Sequence, residues 1–147
     1  MTKLFWIILA LVSGAFLPLQ AALNTKLGKT VGSPLHASLI SFLIGSAGLA
    51  LYILLTRQTA SFSALKSAPI YVWIGGLLGA CYVTAIILLF PRLGPGLTFG
   101  LVVAGQMTLA AFLEHFNILV SQPHPISFIR VVGILLIIVG VVLVRLF

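Results

Sequence analysis

The chain has 147 residues, 61% of them apolar and only 6% charged, where a soluble domain carries about a quarter charged residues. With a mean hydropathy of +1.29, an ordinary water-soluble globule is excluded. The formal charge of +7 comes from eight Lys and Arg set against one acid, Glu114. Those cations lie singly or in pairs over the loops and both ends, unlike the one-sided basic footprint of a nucleic-acid protein. They read as helix-end anchors whose charged tips snorkel to the lipid headgroups.

Five apolar runs, roughly 4–22, 35–55, 70–90, 96–116 and 126–144, approach the length of about 20 residues that a helix needs to cross hydrocarbon. Continuous runs fit helices, because a membrane β-barrel alternates in segments of about ten residues. The expected fold is an all-α integral membrane protein, one domain over 1–147, with five transmembrane helices. The links between runs are short and rich in Gly, Pro and small polar residues, so none holds an extramembrane domain.

The first run opens with Lys3 and contains "VSGA", features shared with a cleavable leader. Its apolar residues continue past Ala15, and it carries polar groups at helical spacing, so a retained span is expected. Trp6, Ser13, Gln20 and Asn24 recur at intervals of seven, seven and four, which keeps them in one sector of a helix. Pro18 interrupts the backbone hydrogen bonds in the same stretch. Such a stripe either bonds a neighbouring helix or lines a cavity; the second reading is favoured, since lipid would leave the stripe unpaired.

The second run carries Ser38, Ser41, Gly45 and Gly48 on one face, small residues of the kind that let helices approach within lipid. The third has Gly75 and Gly79, the interfacial aromatics Tyr71 and Trp73, Cys81 as an expected buried thiol, and Tyr82 just past its centre. The fourth has Gly96 and Gly100, with Gln106 near mid-span. Gln106 and Tyr82 either pair with each other or project into the space that the first stripe faces. Glu114 falls about 18 residues beyond Gly96, roughly 27 Å of helical rise, near a membrane face and within reach of Arg130. A fourth helix running on through Val120 would instead draw Glu114 deeper. The fifth run is unbroken by polar residues between Arg130 and Arg145, and its Gly133 and Gly140, two turns apart, suit dimer packing or packing within the chain.

Five spans put the two ends on opposite sides, with Lys3, Arg57, Lys66 and Arg130 on one and Lys26, Lys29, Arg92 and Arg145 on the other. The positive-inside rule finds no bias in that tie. Either the chain inserts both ways up, and opposed copies pair as an inverted repeat, or the tie is chance and a partner sets the orientation. No catalytic constellation is present: one carboxylate, no Walker loop, no Cys/His cluster, no Gly-Xaa-Ser-Xaa-Gly, and His36 and His124 lack metal-ligand spacing. The chain reads as a non-enzyme with no cofactor and no metal site.

"PLQAALNTKLGKTVGSPLHASLISFLIGS", "WIGGLLGACYV", "AGQM" followed by "EHF", and "RVVGILLIIVGVVLV" succeed one another over nearly the whole chain. Together they resemble the YdcZ-type family, five-helix half-size members of the drug/metabolite transporter superfamily of bacterial inner membranes. The Gly133/Gly140 helix is also similar to the dimerising last helix of the small multidrug resistance exporters. The resemblance implies an inner-membrane, multi-pass protein that builds a ten-helix unit from two chains, as an antiparallel homodimer or with a paralogous subunit. It implies alternating access of a small solute at the interface. The chain departs from the family where the fourth helix usually carries Asp-His-Phe-Gly: here Glu114-His115-Phe116-Asn117 keeps the acid and loses the glycine.

The expected function is secondary transport of a small solute, with Trp6, Ser13, Gln20, Asn24, Tyr82 and Gln106 contributing to a neutral pocket. Glu114 and Arg130 would gate or couple, and Gly133 and Gly140 would pack the dimer. The alternatives are a proton-coupled cation exporter built on Glu114, since an intramembrane carboxylate is a functional candidate by default, and a non-transporting accessory subunit.

Overall fold

A computed structural model describes residues 2–59, 66–120 and 124–146. Among them every regular element is helical: α1 (Lys3–Thr30), α2 (Pro34–Thr56), a 3-10 turn (Ile70–Trp73), α3 (Ile74–His115) and α4 (Phe128–Leu146). Each α-helix is long and apolar enough to cross a bilayer, and at most 11% of its most apolar window is buried. Large side chains such as Leu55, Phe128 and Ile129 lie three-quarters exposed or more. That outward display of apolar surface is stable only where the solvent is itself apolar.

The helix ends follow from local chemistry. Ser33 caps α2, its Oγ accepting from the His36 N–H (3.3 Å), and Pro34 occupies the first helical position, where a missing N–H costs nothing. Ser127 caps α4 in the same way through the Arg130 N–H (3.3 Å). Three helices close on a residue with positive φ: Gly32 after α1, Arg57 after α2 and Asn117 after α3. At each, the following N–H reaches back five residues, Ser33 to the Gly28 carbonyl, Gln58 to Ile53 and Ile118 to Leu113. This is the Schellman arrangement, which satisfies carbonyls that a helix end otherwise leaves bare.

Several sequence boundaries need correction. The link beginning "NTKLGKT" is helical, and α1 continues to Thr30. The runs at 70–90 and 96–116 correspond to two helices, 74–93 and 95–115, that meet at a kink on Gly94 (φ 75, ψ 164) and are labelled together as α3. Pro95 disfavours helical geometry in the residue before it, and this conformation is open to little but glycine. The fourth run does not reach Val120; α3 stops at His115 because Asn117 and Leu119 turn to positive φ.

The chain forms two compact units, Met1–Pro91 and Arg92–Phe147. In the first, α1 and α2 make an antiparallel hairpin whose core is a strip of small residues. Ala21, Asn24, Thr25 and Gly28 of α1 are buried at helical spacing, together with Ala37 and Ser38 of α2 and Ile86 and Ile87 of α3. Gly28 lies at this close approach: a Cβ there would sit a tight 3.2 Å from Ile87 Cγ2 and an ordinary 3.6 Å from Ala37 Cβ. Thr84 Oγ1 donates to Ser38 Oγ (2.8 Å), which donates to the Pro34 carbonyl (3.0 Å), a polar bridge between helices that lipid does not compete for.

In the second unit the 95–115 arm of α3 runs antiparallel to α4. Val141 packs directly on Gly100, where a Cβ would lie 2.8 Å from its Cγ2, and Val144 lies 3.2 Å from the Cβ position of Gly96. Ala104 and Ala111 continue the buried face toward Glu114. Gly133 and Gly140, by contrast, have nothing within 4 Å of their Cβ positions. Cys81, expected to be buried, is exposed.

Candidate functional site

Among the described residues, clefts that carry polar side chains lie in each unit. The first lies between α1 and α2 and has a volume of about 370 Å³, with Gln20, Asn24 and Ser41 among apolar walls that include Phe16 and Leu23. A neighbouring cleft of about 240 Å³ shares Gln20 and Ser41 and adds Phe42 and Ser46. Gln20 and Asn24 are one helical turn apart and so share a face. Two residues before Gln20, Pro18 has no N–H to offer the Gly14 carbonyl, which loosens the backbone beside the cleft. Asn24 is only 7% exposed, and its side chain has no hydrogen-bond partner among the described residues. Its amide lines the cleft and is free to exchange hydrogen bonds with a polar solute there.

Not all of the expected pocket gathers here. Trp6 and Ser13 are exposed on the first half of α1. Trp6 is 14 residues from Gln20, roughly 21 Å away along the helix, and packs edge-on against Phe5 (5.3 Å). Tyr82 belongs to the first unit but lines neither cleft, and its hydroxyl is buried without a partner among the described residues. Gln106 is exposed on α3 in the second unit. Sequence reasoning counted Ser41 only as a packing residue, and Ser46 and Phe42 not at all. The available signal was two hydroxyls on α2 at the depth of the α1 amides.

The second cleft, about 290 Å³, lies between α3 and α4 with Met107, Ala111, Ile134 and Ile137 in its walls and Glu114 and Arg130 at one end. Arg130 Nη2 donates to Glu114 Oε2 in an ion pair whose side chains are 35% and 29% exposed. The same guanidinium donates through Nη1 to the His124 carbonyl (2.9 Å). His115 Nδ1 accepts the Ile126 N–H (3.2 Å), so the approach to α4 is tied to the end of α3 twice. Phe112 and Phe116 stack at 4.7 Å beside it. Among the described residues, no group of three or more His, Cys, Asp or Glu side chains is placed to hold a metal ion.

Outward-facing apolar helices interrupted by small polar clefts define a multi-pass α-helical membrane protein. The sequence model of one protein family, described as "Putative inner membrane exporter, YdcZ", matches residues 5–143, and the chain belongs to this YdcZ family. It is accordingly a multi-pass protein of the inner membrane, and the family's description is consistent with a transporter. No curated protein and no solved structure matches the chain.

Proposed function

We propose that the protein is a secondary transporter of a small, neutral polar solute, bound in the α1–α2 cleft and exposed to either side by rocking within an antiparallel dimer. The observation that carries this reading is Asn24, an amide more than nine-tenths buried that faces a cleft with no partner of its own. Gln20 and Ser41 supply further donors and acceptors, and the apolar walls supply shape.

Five spans are part of the same reading. Gly94 divides α3 into arms of 74–93 and 95–115, each roughly 30 Å long at 1.5 Å per residue and sufficient to cross. Two opposed copies would then form a ten-helix unit with an inverted repeat, and the open face of Gly140 is available for the dimer contact. Glu114 and Arg130, at the ends of α3 and α4, serve as a gate that opens when the ion pair parts. A cation exporter with Glu114 as its binding carboxylate is less well supported, because Arg130 already occupies that carboxylate. An accessory subunit would give no flux when pure and would co-purify with a larger protein.

The test is a screen of small solutes on purified protein in liposomes, reading flux and electrical current with and without a proton gradient. Asn24→Leu is expected to lower flux of the active solute about tenfold, the cost of one buried hydrogen bond. Full flux in that variant would remove the cleft from the mechanism.

A further inference from the structure

The cleft between α3 and α4, whose charged end the transport reading uses as a gate, also has apolar walls that gating leaves unexplained. Glu114 lies in the last turn of α3 and Arg130 in the first turn of α4, so the ion pair sits at the end of both helices, at headgroup depth. From there the walls, Met107, Ala111, Ile134 and Ile137, are apolar. Ile137 is two turns below Arg130, roughly 10 Å toward the bilayer centre. Gly133 lies between them and leaves the space open, since a Cβ there meets nothing within 4 Å. A polar end at the interface above an apolar slot is the layout of a bilayer lipid.

The charges narrow the headgroup. Arg130 uses two of its five N–H donors, one on Glu114 and one on the His124 carbonyl, which leaves three. Glu114 Oε1 accepts from no described residue, and Glu114 is among the residues that line the cleft. A purely anionic ligand would compete with Glu114 for Arg130 and strand the carboxylate. A zwitterion with adjacent phosphate and ammonium meets both partners without separating them. A primary ammonium can donate to Glu114, whereas a quaternary one has no N–H to give. We infer that this cleft binds one ethanolamine phospholipid, its phosphate on Arg130, its ammonium on Glu114 and the start of one acyl chain along Ile134 and Ile137. The inference rests on the chain lying in a membrane and is independent of the solute reading.

Native mass spectrometry of the detergent-purified full chain, titrated with dioleoyl phosphatidylethanolamine, phosphatidylcholine and phosphatidylglycerol, decides it. One ethanolamine lipid per chain should be retained, with a preference of about fivefold over the other two, as expected for a half-exposed charged contact. Glu114→Gln and Arg130→Gln should each erase that preference. Gly133→Leu, which fills the slot and leaves the ion pair in place, should lower retention of the ethanolamine lipid to that of the others. Equal retention of the three lipids by the unaltered chain overturns the inference, as does undiminished preference in Gly133→Leu, a variant that remains decisive if the charge variants fail to fold. Free glycerophosphoethanolamine displacing the lipid at equal concentration would also overturn it, because the apolar walls would then contribute nothing. Solute flux is not the readout, so failure here leaves the transport reading standing.

Discussion

Asn117 ends α3, and its backbone conformation explains why asparagine suits the position. The position has φ 54 and closes α3 in a Schellman turn. Asparagine is one of the few side-chain-bearing residues that enters this conformation routinely. Asn117→Gly is expected to stabilise the protein by about 0.5 kcal/mol and Asn117→Val to destabilise it by about 1–2 kcal/mol, measured by denaturant unfolding in detergent micelles. No increase in stability from glycine would mean that the Asn117 side chain makes a favourable contact of its own. Glu114 invites the complementary test. If the ion pair is the gate, Glu114→Gln should leave solute affinity within about twofold while changing turnover, because the residue is a separate site from the Asn24 cleft. A variant that loses affinity and keeps turnover would return Glu114 to solute binding.

At the scale of the element, Gly100 and Val141 hold α3 against α4 in the second unit. With 2.8 Å between Val141 Cγ2 and the Cβ position of Gly100, Gly100→Ala should cost about 1–3 kcal/mol as an overpacked contact. Val141→Ala in the same chain should recover most of that loss, and a double-mutant cycle on unfolding free energies measures the coupling. Additive losses would show that Val141 gives way without strain. The same residues mark how much was legible in the sequence. Run length and composition disclose membrane helices directly, and the spacing of Gly96 and Gly100 identifies a packing face. Which helix fills that face is not written in the spacing, because valine offers no signature that sets Val141 apart from its neighbours. The "PRLGP" stretch misleads for a related reason. Two prolines and a glycine read as a loop, yet only Gly94 departs from helical geometry. In the candidate site, Gln20 and Asn24 were legible because polar residues one turn apart are conspicuous in an apolar run. Trp6 and Ser13 share that sector and still fall away from the cleft, since a helix separates along its axis what its angular sector groups.

For the whole molecule, the decisive property is orientation in the membrane. On the proposed five-span topology four cations fall on each side, which would give the insertion machinery no preference. In a Cys81→Ser background, a single cysteine near either terminus should be labelled by an impermeant reagent from both sides of sealed vesicles, in comparable amounts. Labelling from one side only, in the absence of any partner protein, would eliminate the antiparallel homodimer. Three lysines added near one terminus should then lock one orientation and abolish transport, and co-expression with a chain locked the opposite way should restore it.

The Glu114–Arg130 pair also imposes an order on how the protein is made. The partners are 16 residues apart, and at roughly 5–20 residues per second of synthesis the carboxylate leaves the ribosome about one to three seconds before its arginine. During that interval the acid has no countercharge, and a helix that carried it further into hydrocarbon would stall at the translocon. The Schellman turn at 116–118 ends the helix at His115, one residue after Glu114, and on the proposed topology would keep the acid near the bilayer edge until Arg130 arrives. On that topology the short stop after "LEH" would serve insertion as well as the finished fold.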